Sequence, residues 1–202
     1  LWAARYDESA RWFEHAQAHA ETAEVLDVGA GTCHGECRGA QLALEEPGRV
    51  VRFAVDVLGV TGEVARLDDT ERQRVLEVVT RHAAGRIGVV AGTTAEGTTT
   101  CIGYSQHAKD AGATAVMVSP PRMPKLNSDA VLRHFSALAE AVDIEIVVQD
   151  YPPISGYAME PWLLARIAKE IPSARTIKLE DPPTPFKTSR ILNEVEKVGG
   201  VE

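Results

Sequence analysis

From about residue 54 onward, short apolar runs alternate with longer stretches in which apolar residues recur every three or four positions. The runs at 87–91, 115–119, 144–149 and 176–179 read as strands, being rich in Val and Ile and separated by polar or turn-forming residues. The stretches between them read as helices. The first follows Asp68, which has capping-box spacing to Glu71, and sets Val75, Leu76 and Val79 on one face. A second covers about 99–111. The third follows Asn127-Ser128 and carries Val131, Leu132, Phe135, Leu138, Ala139 and Val142 at helical spacing. The fourth follows Pro161, a suitable first-turn residue, and the fifth occupies about 187–198. Strand–helix alternation at near-constant spacing predicts an α/β fold of parallel strands. Strands apolar on both faces expect cover on both sides, which a (β/α)8 barrel or an open doubly wound sheet would each supply.

Composition narrows the classes. With 45% apolar and 25% charged residues in 202, the chain has material for one sizeable core and is neither disordered nor fibrous. A formal net charge of −8 argues against a nucleic-acid footprint, leaving small molecules as the expected partners. Three cysteines, Cys33, Cys37 and Cys101, do not pair evenly and suit a reducing compartment. No apolar run nears the ~20 residues of a membrane span, and the opening Leu1-Trp2-Ala3-Ala4-Arg5 has no signal-peptide core, so a cytoplasmic protein without a membrane segment is expected.

One residue breaks the apolar pattern in a telling place. Lys178 sits inside the strand Thr176-Ile177-Lys178-Leu179. A lysine on a core strand must lose its proton or find a partner, since an isolated ammonium in an apolar interior is very costly. A desolvated amine is also the nucleophile that forms a Schiff base with a ketone. The competing reading has Lys178 snorkel to the strand end or pair with Glu180 or Asp181.

The sequence resembles a known family over about residues 56–192. Leu58-Gly59-Val60-Thr61-Gly62-Glu63, Val90-Ala91-Gly92-Thr93, Gln106-His107-Ala108 through Gly112-Ala113, His134-Phe135 with 137–139, Pro152 with Gly156, and Ile177-Lys178 occur in the order and spacing of the dihydrodipicolinate synthase and N-acetylneuraminate lyase family. The resemblance implies a (β/α)8 TIM barrel and a class I lyase or aldolase, in which Lys178 forms a Schiff base with pyruvate or a related 2-keto acid. It further implies an aldehyde as second substrate, no cofactor, no metal, and a homo-oligomer. The Thr61-Gly62 turn would supply donors to the keto-acid carboxylate, as oriented N–H groups in a tight turn do.

The chain also departs from the family. The usual strand-end tyrosine aligns with Gln149, the first hydroxyl residue of the strand-end turn with Val60, and the tyrosine contributed by a neighbouring subunit falls near Arg122. The arginine that holds the aldehyde of true dihydrodipicolinate synthases aligns with Ile154, which argues against a role in lysine biosynthesis. Tyr151, two residues beyond Gln149, would share its face on a regular strand and return a phenol to the pocket, although Pro152 and Pro153 are expected to end the strand there. The expected site is therefore Lys178 and Tyr151 as catalytic groups, with Thr61, Gly62 and Gln149 binding substrate.

Residues 1–50 do not resemble the family's first strand and helix and are expected to form an atypical, chimaeric segment, with 51–202 an incomplete barrel domain. Residues 49–56 read as a remnant of the first barrel helix. Val25-Leu26-Asp27-Val28-Gly29-Ala30-Gly31-Thr32 looks like a nucleotide-binding turn of methyltransferases, but too little chain follows it for their sheet. His15 and His19, with Cys33, His34 and Cys37, have metal-ligand chemistry with nothing to fix their convergence. The Gly- and Thr-rich stretch 92–100 lacks a P-loop's ending and reads as a strand-to-helix loop. A barrel of this type needs ~250 residues, so the last two strands are expected to be missing and the chain to be a fragment. The alternative function is accordingly a non-catalytic barrel fragment that at most binds keto acids.

Overall fold

The computed structural model describes residues 54–60 and 62–199, and these fall into two compact units. The first comprises, among described residues, 54–60, 62–92 and 111–114; the second holds 93–110 and 115–199.

In the first unit, β1 (Ala54–Val57) pairs in parallel with β2 (Gly88–Gly92), in the register Ala54↔Gly88 to Val57↔Ala91. The alternation Ala-Val-Asp-Val makes residues 54–57 a strand with Val55 and Val57 buried, so the expected helix remnant does not extend to Asp56. Helix α1 (Asp69–Ala83) has the expected capping box: the Glu71 N–H donates to Asp68 Oδ1 at 2.9 Å and the Asp68 N–H to Glu71 Oε2 at 3.0 Å. Val75, Leu76 and Val79 are buried, as their spacing predicts.

Gly92 ends β2 where the chain passes against another loop. A Cβ there would lie 2.1 Å from the Leu58 carbonyl oxygen and 2.7 Å from its carbon, so only glycine fits without moving backbone. The Val90-Ala91-Gly92-Thr93 motif thus has a steric reason.

The second unit runs α2 (Thr98–Asp110), β3 (Ala115–Val118), α3 (Ser128–Ala141), β4 (Glu145–Asp150), the single turn α4 (Pro152–Ser155), α5 (Pro161–Glu170), β5 (Thr176–Leu179) and α6 (Thr184–Gly199). β3, β4 and β5 are parallel neighbours, with Val118↔Val148 in one pair and Gln149↔Lys178 and Asp150↔Leu179 in the other. Val116, Val118, Ile146 and Val148 are fully buried. On α3, Asn127 caps the helix by accepting from the Ala130 N–H at 2.9 Å, and Val131, Phe135 and Leu138 are buried while Ala139 is only half-buried. His134 shares that buried face. Its Nδ1 hydrogen-bonds the Thr98 hydroxyl at 2.9 Å, Nε2 is buried without a partner, and burial lowers its pKa.

Strands and helices alternate as the sequence predicts, with boundaries shifted by a residue or so. The larger difference is α6, which starts at Thr184 rather than near 187 because Thr184-Pro185 makes a good first turn. The cover expected over β5 is incomplete: Ile177, Lys178 and Leu179 are each only half-buried.

Candidate active site

The carboxyl ends of β3, β4 and β5 carry a continuous polar chain. In a parallel pair, residues in register point to the same face, so Gln149 and Lys178 are side by side, and Glu180 lies just past the end of β5, its N–H donating to the Asp150 carbonyl at 2.9 Å. The Ser119 hydroxyl donates to Gln149 Oε1 at 2.9 Å, and Gln149 Nε2 donates to Glu180 Oε2 at 2.7 Å. Lys178 Nζ lies 3.6 Å from Glu180 Oε1. Behind Ser119, its N–H donates to the Thr94 hydroxyl at 2.9 Å. Ser119 and Gln149 are buried, whereas the Lys178 and Glu180 side chains are 20% and 29% exposed. Burial therefore fixes the donors, while the amine and the carboxylate stay partly exposed.

The opposite face of the same strand ends is built differently. Asp150, in register with Leu179, points away from Gln149 and is wholly buried. It receives Lys187 of α6 at 2.5 Å, and Lys187 also reaches Asp181 at 2.7 Å. The Met159 N–H is 3.4 Å from Asp150. Burial raises the Asp150 pKa against the pull of Lys187; the Lys187 pKa is also raised, because its own burial is outweighed by the two carboxylates. This Asp150–Lys187–Asp181 clasp ties β4, the residue after Glu180, and α6 together.

Of the expected site residues, the structure brings Lys178 and Gln149 together. Tyr151 lies just past β4, which ends at Asp150, and it opens α4 (φ −130°, ψ 81°) ahead of Pro152 and Pro153, so strand alternation alone does not set its direction. Thr61 lies outside the described residues. Gly62 is buried in a turn of the first unit where the Glu63 N–H donates to the Val60 carbonyl at 3.0 Å. Lys178 has the partner that the competing reading named, Glu180, while Asp181 goes to Lys187. Ser119 and the orienting role of Gln149 on Glu180 are not evident from the sequence. The signal for Ser119 is slight, a hydroxyl directly after an apolar run.

The expected loop at 92–100 is present: β2 stops at Gly92 and α2 begins at Thr98. The turn at 25–32, His15, His19, His34, Cys33 and Cys37 lie outside the described residues. Among the described residues no three His, Cys, Asp or Glu cluster as a metal site, and no helix is long and apolar enough to cross a membrane.

A model of the dihydrodipicolinate synthetase family matches residues 52–182, well over half of the chain. The chain belongs to this family. The 4-hydroxy-tetrahydrodipicolinate synthases of Pelobacter propionicus and Methylococcus capsulatus are respectively 40% and 38% identical to it, over 111 and 144 residues. These matches cover 55% and 67% of this chain but 38% and 49% of those proteins. Among solved structures, dihydrodipicolinate synthase from Aquifex aeolicus superposes with a TM-score of 0.66 at 30% identity, covering 70% of this chain and 48% of that one. The chloride-inhibited dihydrodipicolinate synthase of Acinetobacter baumannii, complexed with pyruvate, gives 0.64 at 29%, covering 70% and 49%. This member of the dihydrodipicolinate synthetase family thus has the fold class of part of a (β/α)8 barrel, which decides against the open doubly wound sheet, and it spans about half the length, or less, of the relatives it matches.

Proposed function

We propose that Lys178 is the Schiff-base lysine of a class I lyase or aldolase acting on pyruvate or a related 2-keto acid. The observation that carries this reading is the half-open Lys178 amine at the carboxyl end of β5, in register with buried Gln149, in a chain of this family. Barrel enzymes of this class work at that end of their strands. Attack of the amine on a keto carbon yields an iminium, an electron sink from which the adjacent carbon loses a proton or breaks a carbon–carbon bond. The pyruvate held by the Acinetobacter baumannii relative is consistent with such a substrate. Tyr151, directly after β4, would add a phenol to the site.

The partner aldehyde is proposed to differ from aspartate semialdehyde. Ile154, 43% exposed on α4, stands where an arginine would pair with a charged substrate, so a less charged aliphatic or aromatic aldehyde suits the position better. The second reading is a non-catalytic partial barrel that binds keto acids without turnover.

Borohydride reduction in the presence of pyruvate, followed by peptide mass spectrometry, tests the proposal. A reduced adduct on Lys178, absent from Lys178→Arg, is expected; arginine keeps the charge but forms no iminium. No adduct in the unaltered chain would leave the binding fragment as the answer. Rapid condensation of pyruvate with aspartate semialdehyde would refute the reading of Ile154.

A further inference from the structure

The proposed chemistry needs a group that moves protons, and the tyrosine expected for that work is replaced by Gln149, an amide that acts as neither acid nor base near neutral pH. The structure puts a carboxylate beside the amine instead. Glu180 Oε1 is 3.6 Å from Lys178 Nζ, its other oxygen is gripped at 2.7 Å by Gln149 Nε2, and Gln149 is oriented in turn by the Ser119 hydroxyl at 2.9 Å. Two buried residues thus hold one oxygen and leave the second turned toward the amine. The amide orientation is fixed by that chain: the Glu180 carboxylate only accepts, so the nitrogen donates to it and the oxygen accepts from the Ser119 hydroxyl. A bare ion pair would not need a buried amide and hydroxyl to aim it.

We infer that Glu180 is the general base and acid of the Schiff-base reaction, with Gln149 and Ser119 as positioning residues. The inference rests on the Schiff-base reading of Lys178. Glu180 takes a proton from the Lys178 ammonium, and the freed lone pair attacks the keto carbon. A C–N bond forms, the carbonyl π pair moves to oxygen, and Glu180 returns the proton to that oxygen. It then takes a proton from the new ammonium and passes it to the hydroxyl, which leaves as water as the nitrogen lone pair closes the C=N bond. Last, the carboxylate removes a proton from the adjacent carbon; the C–H pair becomes the C=C bond of an enamine and the iminium π pair returns to nitrogen. Each proton taken up is either given back or held on Glu180, so the sequence balances. Glu180 stands 3.6 Å from the Lys178 amine and 2.7 Å from Gln149, where one carboxylate serves all five transfers.

The test follows exchange of the pyruvate methyl protons in D2O by proton NMR at pH 7, alongside borohydride trapping. The unaltered chain should exchange above the enzyme-free rate and Lys178→Arg should not. Glu180→Gln should exchange about 100-fold more slowly or worse. It should still be trapped at alkaline pH, where hydroxide removes the amine proton without help. Glu180→Gln exchanging at the unaltered rate overturns the inference while leaving the Schiff base standing. Absence of both adduct and exchange in the unaltered chain brings down both readings. Should Glu180→Gln fail to fold, Glu180→Asp decides the matter: it withdraws the carboxylate by one methylene, and exchange lowered with trapping intact supports the role, whereas unchanged exchange overturns it.

Discussion

Replacing Lys187 by Met asks how much the buried clasp contributes. Met approximates the lysine stem and removes the charge, leaving the Asp150 carboxylate wholly buried with a single long contact, the 3.4 Å Met159 N–H. Breaking a buried pair from one side costs about 3–5 kcal/mol. The carboxyl can escape by taking a proton, and for a group whose ordinary pKa is 3.8 that costs about 4 kcal/mol at pH 7. The loss should therefore settle at about 3–4 kcal/mol. With a urea slope of about 2 kcal/mol per molar, the unfolding midpoint should fall by about 1.5–2 M. The pH profile gives a second signature. In Lys187→Met burial, with the Asp181 charge beside it and only the long Met159 N–H contact against it, raises the carboxyl's pKa, so its favourable contribution is full below the ordinary 3.8 and is lost as pH rises through the raised value. Acidification from pH 7 should thus narrow the gap between variant and parent. The double change Asp150→Asn with Lys187→Met should recover most of the loss at pH 7. A loss below about 1 kcal/mol at pH 7, or a gap that does not narrow on acidification, would refute this account of the clasp.

Two further outcomes are expected. Gly92→Ala should destabilise the first unit by about 1–3 kcal/mol or more, since its methyl would have to displace the Leu58 carbonyl rather than a flexible side chain; a urea midpoint unchanged from the parent would contradict the close approach. His134, whose pKa burial lowers from 6.5, contributes stability that is fully present above 6.5 and is lost as pH falls through its depressed value. His134→Gln should therefore lose less stability than the parent between about pH 7 and 5, and parallel losses would show that His134 is not the group protonated.

The parts of the fold that are legible in the sequence are those that local chemistry decides. The Asp68–Glu71 capping box, the Asn127 cap and the apolar face of α3 follow from residues within a turn or two of each other, and each is present. The bounds of β5 follow from four residues alone. What is not legible joins residues far apart. Asp150 and Lys187 are 37 positions apart and share no periodicity that would announce a pair. His134 is masked by its own polarity, since an imidazole in an apolar stripe looks like an interruption until Thr98 is seen to satisfy one of its nitrogens. In the site, the sequence points to Lys178 and Gln149 but not to their contact, because that depends on the register of β4 against β5. For Tyr151 the alternation argument stops short, because β4 ends one residue before it, at Asp150.

The two-sided strand end has a bearing on how this segment can vary. Gln149, Lys178 and Glu180 face one way, while Asp150 and Asp181, which share Lys187, are offset from them by one position. The segment therefore counts in twos. A single-residue insertion or deletion between Lys178 and Asp181 would break the spacing that sets Glu180 3.6 Å from Lys178 and Asp181 2.7 Å from Lys187, putting a clasp carboxylate where the proposed reactive group stands or the reverse. Substitution changes one side chain, whereas a change of length by one exchanges the two faces together. Among variants of this stretch that still fold, residue identity should drift far more readily than residue number.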